Sequence, residues 1–158
     1  MGVISGLVGF VVVAFSLVMV VLVPLFEAQA CLPWLYPPLL VDLNHYYSEQ
    51  YDDYLTIKRP GFFVGLAWLE LLFLWPLSIT NLYGILARKP WVNTTTLMAG
   101  VSSLTAMGAV MGEVLNNYTE IEALLLLLER YIPYIVFSFF AILYSFLPSI
   151  SRWWGVPL

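Results

Sequence analysis

The feature that most constrains this chain is a run of apolar residues from Phe62 to Ala87 that contains a single charged side chain, Glu70. Roughly 20 apolar residues are enough to cross the ~30 Å hydrocarbon core of a bilayer, so this run predicts a transmembrane helix. A carboxyl group inside such a helix is costly unless it is neutral, paired or turned toward a cavity. Glu70 is therefore the first candidate functional residue. The plainer interpretation is an acid that snorkels to the interface or bonds a neighbouring helix.

Composition extends this interpretation to the whole chain. Of the 158 residues, 61% are hydrophobic and 10% are charged, whereas soluble domains carry about 25% charged residues. Hydropathy predicts four spans, at 3–26, 62–87, 96–115 and 123–147. The first run is too long for a signal peptide and no Lys or Arg precedes it, so we expect it to remain as a span. We therefore expect an all-α, integral membrane four-helix bundle formed by one domain over residues 1–158.

Loop one, between the first two spans, is the long connection. Apolar and aromatic residues recur there at near-helical spacing between Leu39 and Tyr51, while Asp42, Glu49 and Asp52 fall on other faces. This pattern predicts a short amphipathic helix that lies over the mouth of a pocket or in the membrane interface. Span three is rich in Gly, Ala and Ser, which predicts close packing against its neighbours.

The orientation in the membrane is only partly readable. Lys and Arg are equally divided between the two sides, so the positive-inside rule does not decide. Acids fall almost wholly on loops one and three, and loop two is net positive. This favours cytosolic termini, with the acidic loops on the lumenal side.

Alternating spans bring acids and phenols to one level of the membrane. Glu27 ends the first span, Asp53 ends loop one, and Glu70 lies about 12 Å deep in the second span at 1.5 Å per residue. Tyr131 and Tyr134 stand at i and i+3 on one face of the fourth span. Each has a plainer interpretation, because Glu27 could be an interfacial helix-end acid and the tyrosines could belong to an aromatic belt.

Other function classes have no support in the sequence. The net charge of -4 provides no basic patch for nucleic acid. Cys31 is the only cysteine, and the single histidine, His45, has no second His at metal-ligand spacing. The chain contains no GxSxG, P-loop, HExxH, GxGxxG or CxxC motif. We therefore expect no metal, no cofactor and no nucleic-acid partner.

Between Phe26 and Tyr144 the chain carries five ordered motifs: LFEAQACLP, YYSEQYDDYL, RPGFFVGLAWLELLFLWPL, NLYGILARKPWVNTT and RYIPY. Together they resemble the sigma-2 receptor-like proteins of the EXPERA-domain family, above all the plant-type homologues. That family also includes the emopamil-binding sterol isomerases. The resemblance implies a four-helix protein of the endoplasmic reticulum that forms a homodimer. It also implies an occluded pocket, reached from the membrane, that binds sterols and lipophilic amines.

The resemblance also assigns site residues by position. The acid after helix one, the acid ending loop one, the acid of helix two and two tyrosines of helix four correspond to Glu27, Asp53, Glu70, Tyr131 and Tyr134. The first of these acids is usually Asp, so Glu27 extends its carboxyl group by one methylene. Leu74 replaces a glutamine that is common in the family. The sterol isomerases use a histidine in a membrane helix, and His45 does not match that position.

The leading hypothesis is a protein that binds a lipophilic small molecule (a sterol, terpenoid or amine) arriving from the membrane lipid. The cation or hydroxyl group of that molecule would meet Asp53 and Glu27, while Glu70, kept protonated by desolvation, would hydrogen-bond one of them. Aromatic walls would supply apolar contact and, for amines, cation–π attraction. The predicted walls are Phe62, Phe63, Trp68, Tyr131 and Tyr134.

The alternative is an enzyme that uses the same pocket. Proton transfer to an alkene or epoxide needs a neutral carboxylic acid as donor, and tyrosine faces would stabilise the resulting carbocation. A cofactor-independent isomerase or terpenoid cyclase would use Glu27 as the acid and Asp53 or Glu70 as its partner. A third class is a scaffold that holds another membrane protein through the small residues of span three.

Overall fold

The computed structural model describes residues 2–51, 53–117 and 121–146. These ranges contain α1 (Gly2–Leu25), α2 (Pro38–Gln50), α3 (Tyr54–Lys58), α4 (Gly61–Leu69), α5 (Trp75–Leu86), α6 (Val92–Asn117) and α7 (Ile121–Phe146). Short 3-10 turns at Glu27–Ala30 and Pro33–Leu35 connect α1 to α2, and a π-helical turn at Glu70–Leu74 joins α4 to α5. Since no strand occurs in these ranges, the all-α prediction is confirmed.

Four helical stretches of the described chain are long and apolar enough to cross a bilayer: Gly6–Ala30, Gly61–Leu86, Val92–Asn117 and Leu127–Phe146. The predicted four-helix membrane architecture is therefore confirmed. The third stretch begins four residues earlier than predicted, because Thr95 and Thr96 donate their hydroxyl groups to the carbonyl oxygen of Val92 and so remain inside the helix. Position 147, the predicted end of span four, and Asp52 of loop one lie outside the described residues.

Close packing of α6 against α7 depends on a glycine. A Cβ atom on Gly100 would lie 2.9 Å from the carbonyl oxygen of Ser138 and 3.1 Å from the Cβ atom of Ala141. Ala99, Ser103 and Ala106 are also buried, whereas Gly108 is exposed. The small residues of the third span therefore allow close approach of the helix backbones, as predicted.

Aromatic contacts fix α1 against α7 next to the acidic end of the bundle. Phe15 stacks on Phe137 with ring centroids 3.9 Å apart, and its edge meets the ring of Tyr134 at 5.5 Å. Trp75 donates its indole N–H to the carbonyl oxygen of Val20 at 3.0 Å and so ties α5 to α1. The contact with Phe15 restricts the position of the Tyr134 ring.

The predicted loop-one helix is present as α2, but its buried face is polar. Asn44 and Ser48 are buried, and the Asn44 amide donates to Gln29 Oε1 at 3.2 Å. Gln29 donates in turn to the carbonyl oxygens of Leu25 and Leu40 at 2.7 and 3.3 Å. Because Gln29 is fully buried at the end of the first span, it requires polar partners, and α2 supplies them.

Candidate functional site

Asp53 is fully buried immediately before α3, and both of its carboxylate oxygens already have partners. Oδ1 accepts the backbone N–H groups of Leu55 and Thr56 at 3.1 and 3.4 Å, which caps the helix. Oδ2 accepts the hydroxyl groups of Thr56 and Tyr131, each at 2.9 Å. Asp53 therefore holds the start of α3 and the Tyr131 side chain in place and has no oxygen free for a ligand.

Arg130 supplies the charge that compensates Asp53. Its Nη1 atom lies 3.2 Å from Asp53 Oδ2, and its side chain is 22% exposed. The guanidinium group also lies 6.0 Å from the ring centroid of Tyr131. An arginine within a membrane span requires such a partner, because an unpaired charge there is costly.

Glu27 begins the 3-10 turn that follows α1, and it is partly buried. Its Oε1 atom accepts the hydroxyl group of Tyr134 at 3.5 Å, a long hydrogen bond. Since Asp53 is the charged partner of Arg130, the carboxyl group of Glu27 can still accept a donor from a ligand.

Glu70 is buried in the π-helical turn of the second span. The turn closes with the backbone N–H of Trp75 bonded to the Glu70 carbonyl oxygen. The next residue, Pro76, has no N–H to continue an α-helical ladder. Within the described residues, no group hydrogen-bonds the Glu70 carboxyl. The hydrogen bond predicted between Glu70 and Glu27 or Asp53 is therefore not formed.

A small enclosed cavity, the inner cavity, separates the two acids. Its volume of about 20 Å³ is enough for one water molecule and far too small for a sterol. It is lined by Glu27, Phe63, Leu66, Ala67, Glu70, Met107, Val110, Arg130, Tyr131 and Tyr134. The predicted site residues that meet here are Glu27, Phe63, Glu70, Tyr131 and Tyr134.

A larger, open groove, the outer groove, lies on the other side of Glu27. Its volume of about 460 Å³ falls within the usual range for small-molecule sites. It is lined by Leu22, Phe26, Glu27, Leu43, Asn44, Tyr47, Tyr51, Arg130 and Tyr134. Glu27, Arg130 and Tyr134 thus border both spaces and form the wall between them.

Three predicted site residues do not line the inner cavity or the outer groove. Phe62 and Trp68 are 39% and 38% exposed on the outer side of the second span. Phe63, Ala67 and Glu70 occupy the inward face of that span at i, i+4 and i+7, so Phe62 and Trp68 fall off it. The third is Asp53, which does not border either space but contacts two residues of the inner cavity, Arg130 and Tyr131.

Sequence reasoning missed Arg130, which it used only to count charges. The available signal was a cation at the start of an apolar helix, immediately followed by Tyr131. Two further polar residues have structural partners away from the site. Glu113 accepts the Tyr54 hydroxyl at 2.8 Å, and His45 is exposed with its Nδ1 atom 3.3 Å from Glu49.

Cys31 lies at the edge of the site, just beyond the first span. Its Sγ atom approaches the carbonyl oxygen of Val64 at 3.7 Å. Burial raises the pKa of the Cys31 thiol, and the negative charges of Glu70 and Glu27 raise that pKa further. Among the described residues, no three His, Cys, Asp or Glu side chains are grouped to hold a metal ion.

The family model EBP: EXPERA (EXPanded EBP superfamily) matches residues 39–151. The match contains Asp53, Glu70, Arg130 and both site tyrosines, whereas α1 and Glu27 lie N-terminal to it. No curated protein matched the chain in a sequence comparison.

Proposed function

Because the chain belongs to the EXPERA (EXPanded EBP superfamily) family, we propose that it binds a lipophilic small molecule at the wall formed by Glu27, Arg130 and Tyr134. The apolar body of the ligand, a sterol, terpenoid or lipophilic amine, lies in the outer groove. The polar end of the ligand meets Glu27. The two volumes support this proposal: Glu27 borders a groove of about 460 Å³, which can hold such a ligand, whereas the inner cavity holds only about 20 Å³.

Charge supports a ligand that donates a hydrogen bond. Asp53 pairs with Arg130 at 3.2 Å, and among the described residues no cationic side chain lies within ion-pair distance of Glu27 at the groove. A hydroxyl or ammonium group would satisfy Glu27, and hydrogen bonds to charged groups contribute about 1.5–3 kcal/mol. The aromatic rings of Phe26, Tyr47 and Tyr134 along the groove suit an apolar or cationic ligand.

The second candidate function is a cofactor-independent isomerase or cyclase. It is favoured by Glu27 at the outer groove and by a second carboxyl group, Glu70, across the inner cavity from Glu27. Glu27 as a neutral acid would transfer its proton to an alkene carbon or epoxide oxygen. The carbocation would then lose a proton to a base, which shifts the double bond or ends a cyclisation. Glu70 suits the partner role better than Asp53, whose oxygens are fully occupied.

The cellular setting is also part of the proposal. We propose that the protein resides in the endoplasmic reticulum membrane as a homodimer with both termini in the cytosol. The net positive loop two and the acidic loops one and three support this orientation.

Mass spectrometry of lipids that co-purify with the protein tests the binding function. We expect a defined sterol-like or terpenoid molecule with the unmodified chain. Leu43→Trp, which fills the groove from α2, should lower its amount, while Leu39→Trp on the exposed side of α2 should retain it. Equal recovery from both variants contradicts binding in the groove. Conversion of added substrate that is lost in Glu27→Gln supports the enzyme instead.

A further inference from the structure

Helix α2 exposes two chemically different stripes. Leu39, Leu43 and Tyr46 recur every three or four residues and are 79%, 40% and 63% exposed. A second exposed stripe, about a quarter turn away at roughly 100° per residue, is charged or titratable. It consists of Asp42, His45 and Glu49. Both stripes remain uncovered because the buried face of α2 is the polar one described above.

The depth of α2 is fixed by its bonds to the end of the first span. Gln29, which belongs to the apolar stretch Gly6–Ala30, bonds the backbone of Leu40 and the side chain of Asn44. Just before α2, the Tyr36 hydroxyl donates to the carbonyl oxygen of Pro24 inside the same stretch. The helix is therefore held beside the last turns of a membrane span.

The apolar stripe is continuous with a lipid-facing surface. Leu43 of α2 lines the outer groove together with Leu22 and Phe26 of the first span. Next to them, Val21 and Leu25 of α1 are 48% and 38% exposed, as expected for side chains that face lipid.

We propose that α2 is an interfacial helix whose Leu39, Leu43 and Tyr46 stripe contacts the lipid of its leaflet, while the Asp42, His45 and Glu49 stripe faces water. A helix with separate apolar and charged faces lies in the plane of the interface. Trp34, in the turn that precedes α2, is 77% exposed, and tryptophan side chains are typical of the interface. This inference does not require a ligand in the groove.

Site-directed spin labelling of the full chain tests the inference. In a Cys31→Ser background, single cysteines replace residues of the apolar stripe (Leu39→Cys, Leu43→Cys, Tyr46→Cys) or of the charged stripe (Asp42→Cys, His45→Cys, Glu49→Cys). The labelled proteins are reconstituted in phosphatidylcholine vesicles. Collision with oxygen, which concentrates in lipid, is compared with collision with a water-soluble nickel complex.

We expect oxygen collisions to dominate at the apolar stripe and nickel collisions to dominate at the charged stripe, so that the ratio inverts along the helix. Nickel dominance at all six positions would place α2 in water and overturn the proposal. Protection of the apolar stripe from both reagents would mean that a protein surface covers it, which also overturns the proposal. Hydroxyl-radical footprinting of the unsubstituted protein in the same vesicles checks the result, with oxidation expected at His45 and protection at Tyr46.

Discussion

Arg130 at the start of the fourth span and the fully buried Asp53 at the end of loop one form an ion pair, with Nη1 and Oδ2 3.2 Å apart. The sequence predicted one role for both Asp53 and Glu27, the recognition of a ligand. The ion pair separates them, because Asp53 holds Arg130 and Tyr131 while Glu27 stays accessible from the groove.

Removing the charge of Asp53 should destabilise the protein. Asp53→Asn keeps a side chain that can cap α3, but it removes the ion pair to Arg130 together with the oxygen that accepts the Thr56 and Tyr131 hydroxyl groups. Because the Arg130 side chain left without its partner is 22% exposed and water can partly solvate it, we expect the free energy of unfolding to fall by about 1–3 kcal/mol. Denaturant titration in detergent measures it. Glu129→Gln, an exposed acid beside Arg130, should change stability by less than about 0.5 kcal/mol, and equal effects of both variants would contradict the ion pair's role.

Gly100 and Gly108 provide a matched pair on α6. Gly100→Ala places a Cβ atom 2.9 Å from the Ser138 carbonyl oxygen, so the free energy of unfolding should fall by about 1–3 kcal/mol. Gly108→Ala meets no atom within 4 Å and should be neutral or slightly stabilising. Thermal unfolding of the two variants side by side checks this order, and the reverse order would disprove the predicted packing of α6 on α7.

The π-helical turn should position Glu70. Pro76→Ala restores an N–H donor that can bond the Leu72 carbonyl oxygen and so favours a regular α-helix. We expect the variant to fold with unchanged or higher stability but with weaker ligand binding or slower turnover, because Glu70 rotates relative to the inner cavity. A variant that retains full binding and turnover would show that the turn has no role at the site.

Alkylation of Cys31 should be slow and should depend on pH. Because burial raises the pKa of this thiol, its reaction with iodoacetamide at neutral pH should be slower than that of a free cysteine, and it should still rise above pH ~8.5. The unfolded chain releases the thiol proton at lower pH than the folded one. The contribution of the protonated Cys31 thiol to the free energy of unfolding is therefore complete below pH ~8.5. It is lost as the pH rises through the folded-state pKa of the thiol. In Cys31→Ser this pH dependence of unfolding should disappear.

The four spans could be predicted because hydropathy reports the cost of placing side chains in lipid. The direction in which a side chain points within a span could not, because lipid is as apolar as the bundle interior. Phe62, Phe63 and Trp68 are all apolar, so hydropathy does not distinguish them, yet only Phe63 lines the inner cavity. The packing of α6 could be predicted, because a residue without a side chain, such as Gly100, indicates close contact with a neighbouring helix.

The candidate site was predicted as a set of residues, but its pairings were not. Spacing placed Glu27, Asp53 and Glu70 at one level of the membrane. It could not show that Arg130 pairs with Asp53, because that contact joins residues that are far apart in the chain. The polar inner face of α2 was not predicted for a similar reason. Asn44 is buried against Gln29, which lies in a different element of the chain.

Binding of a radiolabelled lipophilic amine to purified Glu27→Gln tests the central claim most directly, with Glu129→Gln as the matched control. Glu27→Gln removes a carboxylate acceptor for the polar end of the ligand, so we expect roughly 10- to 100-fold weaker binding for Glu27→Gln and unchanged binding for Glu129→Gln. Wild-type affinity in Glu27→Gln would show that Glu27 does not hold the polar end of the ligand.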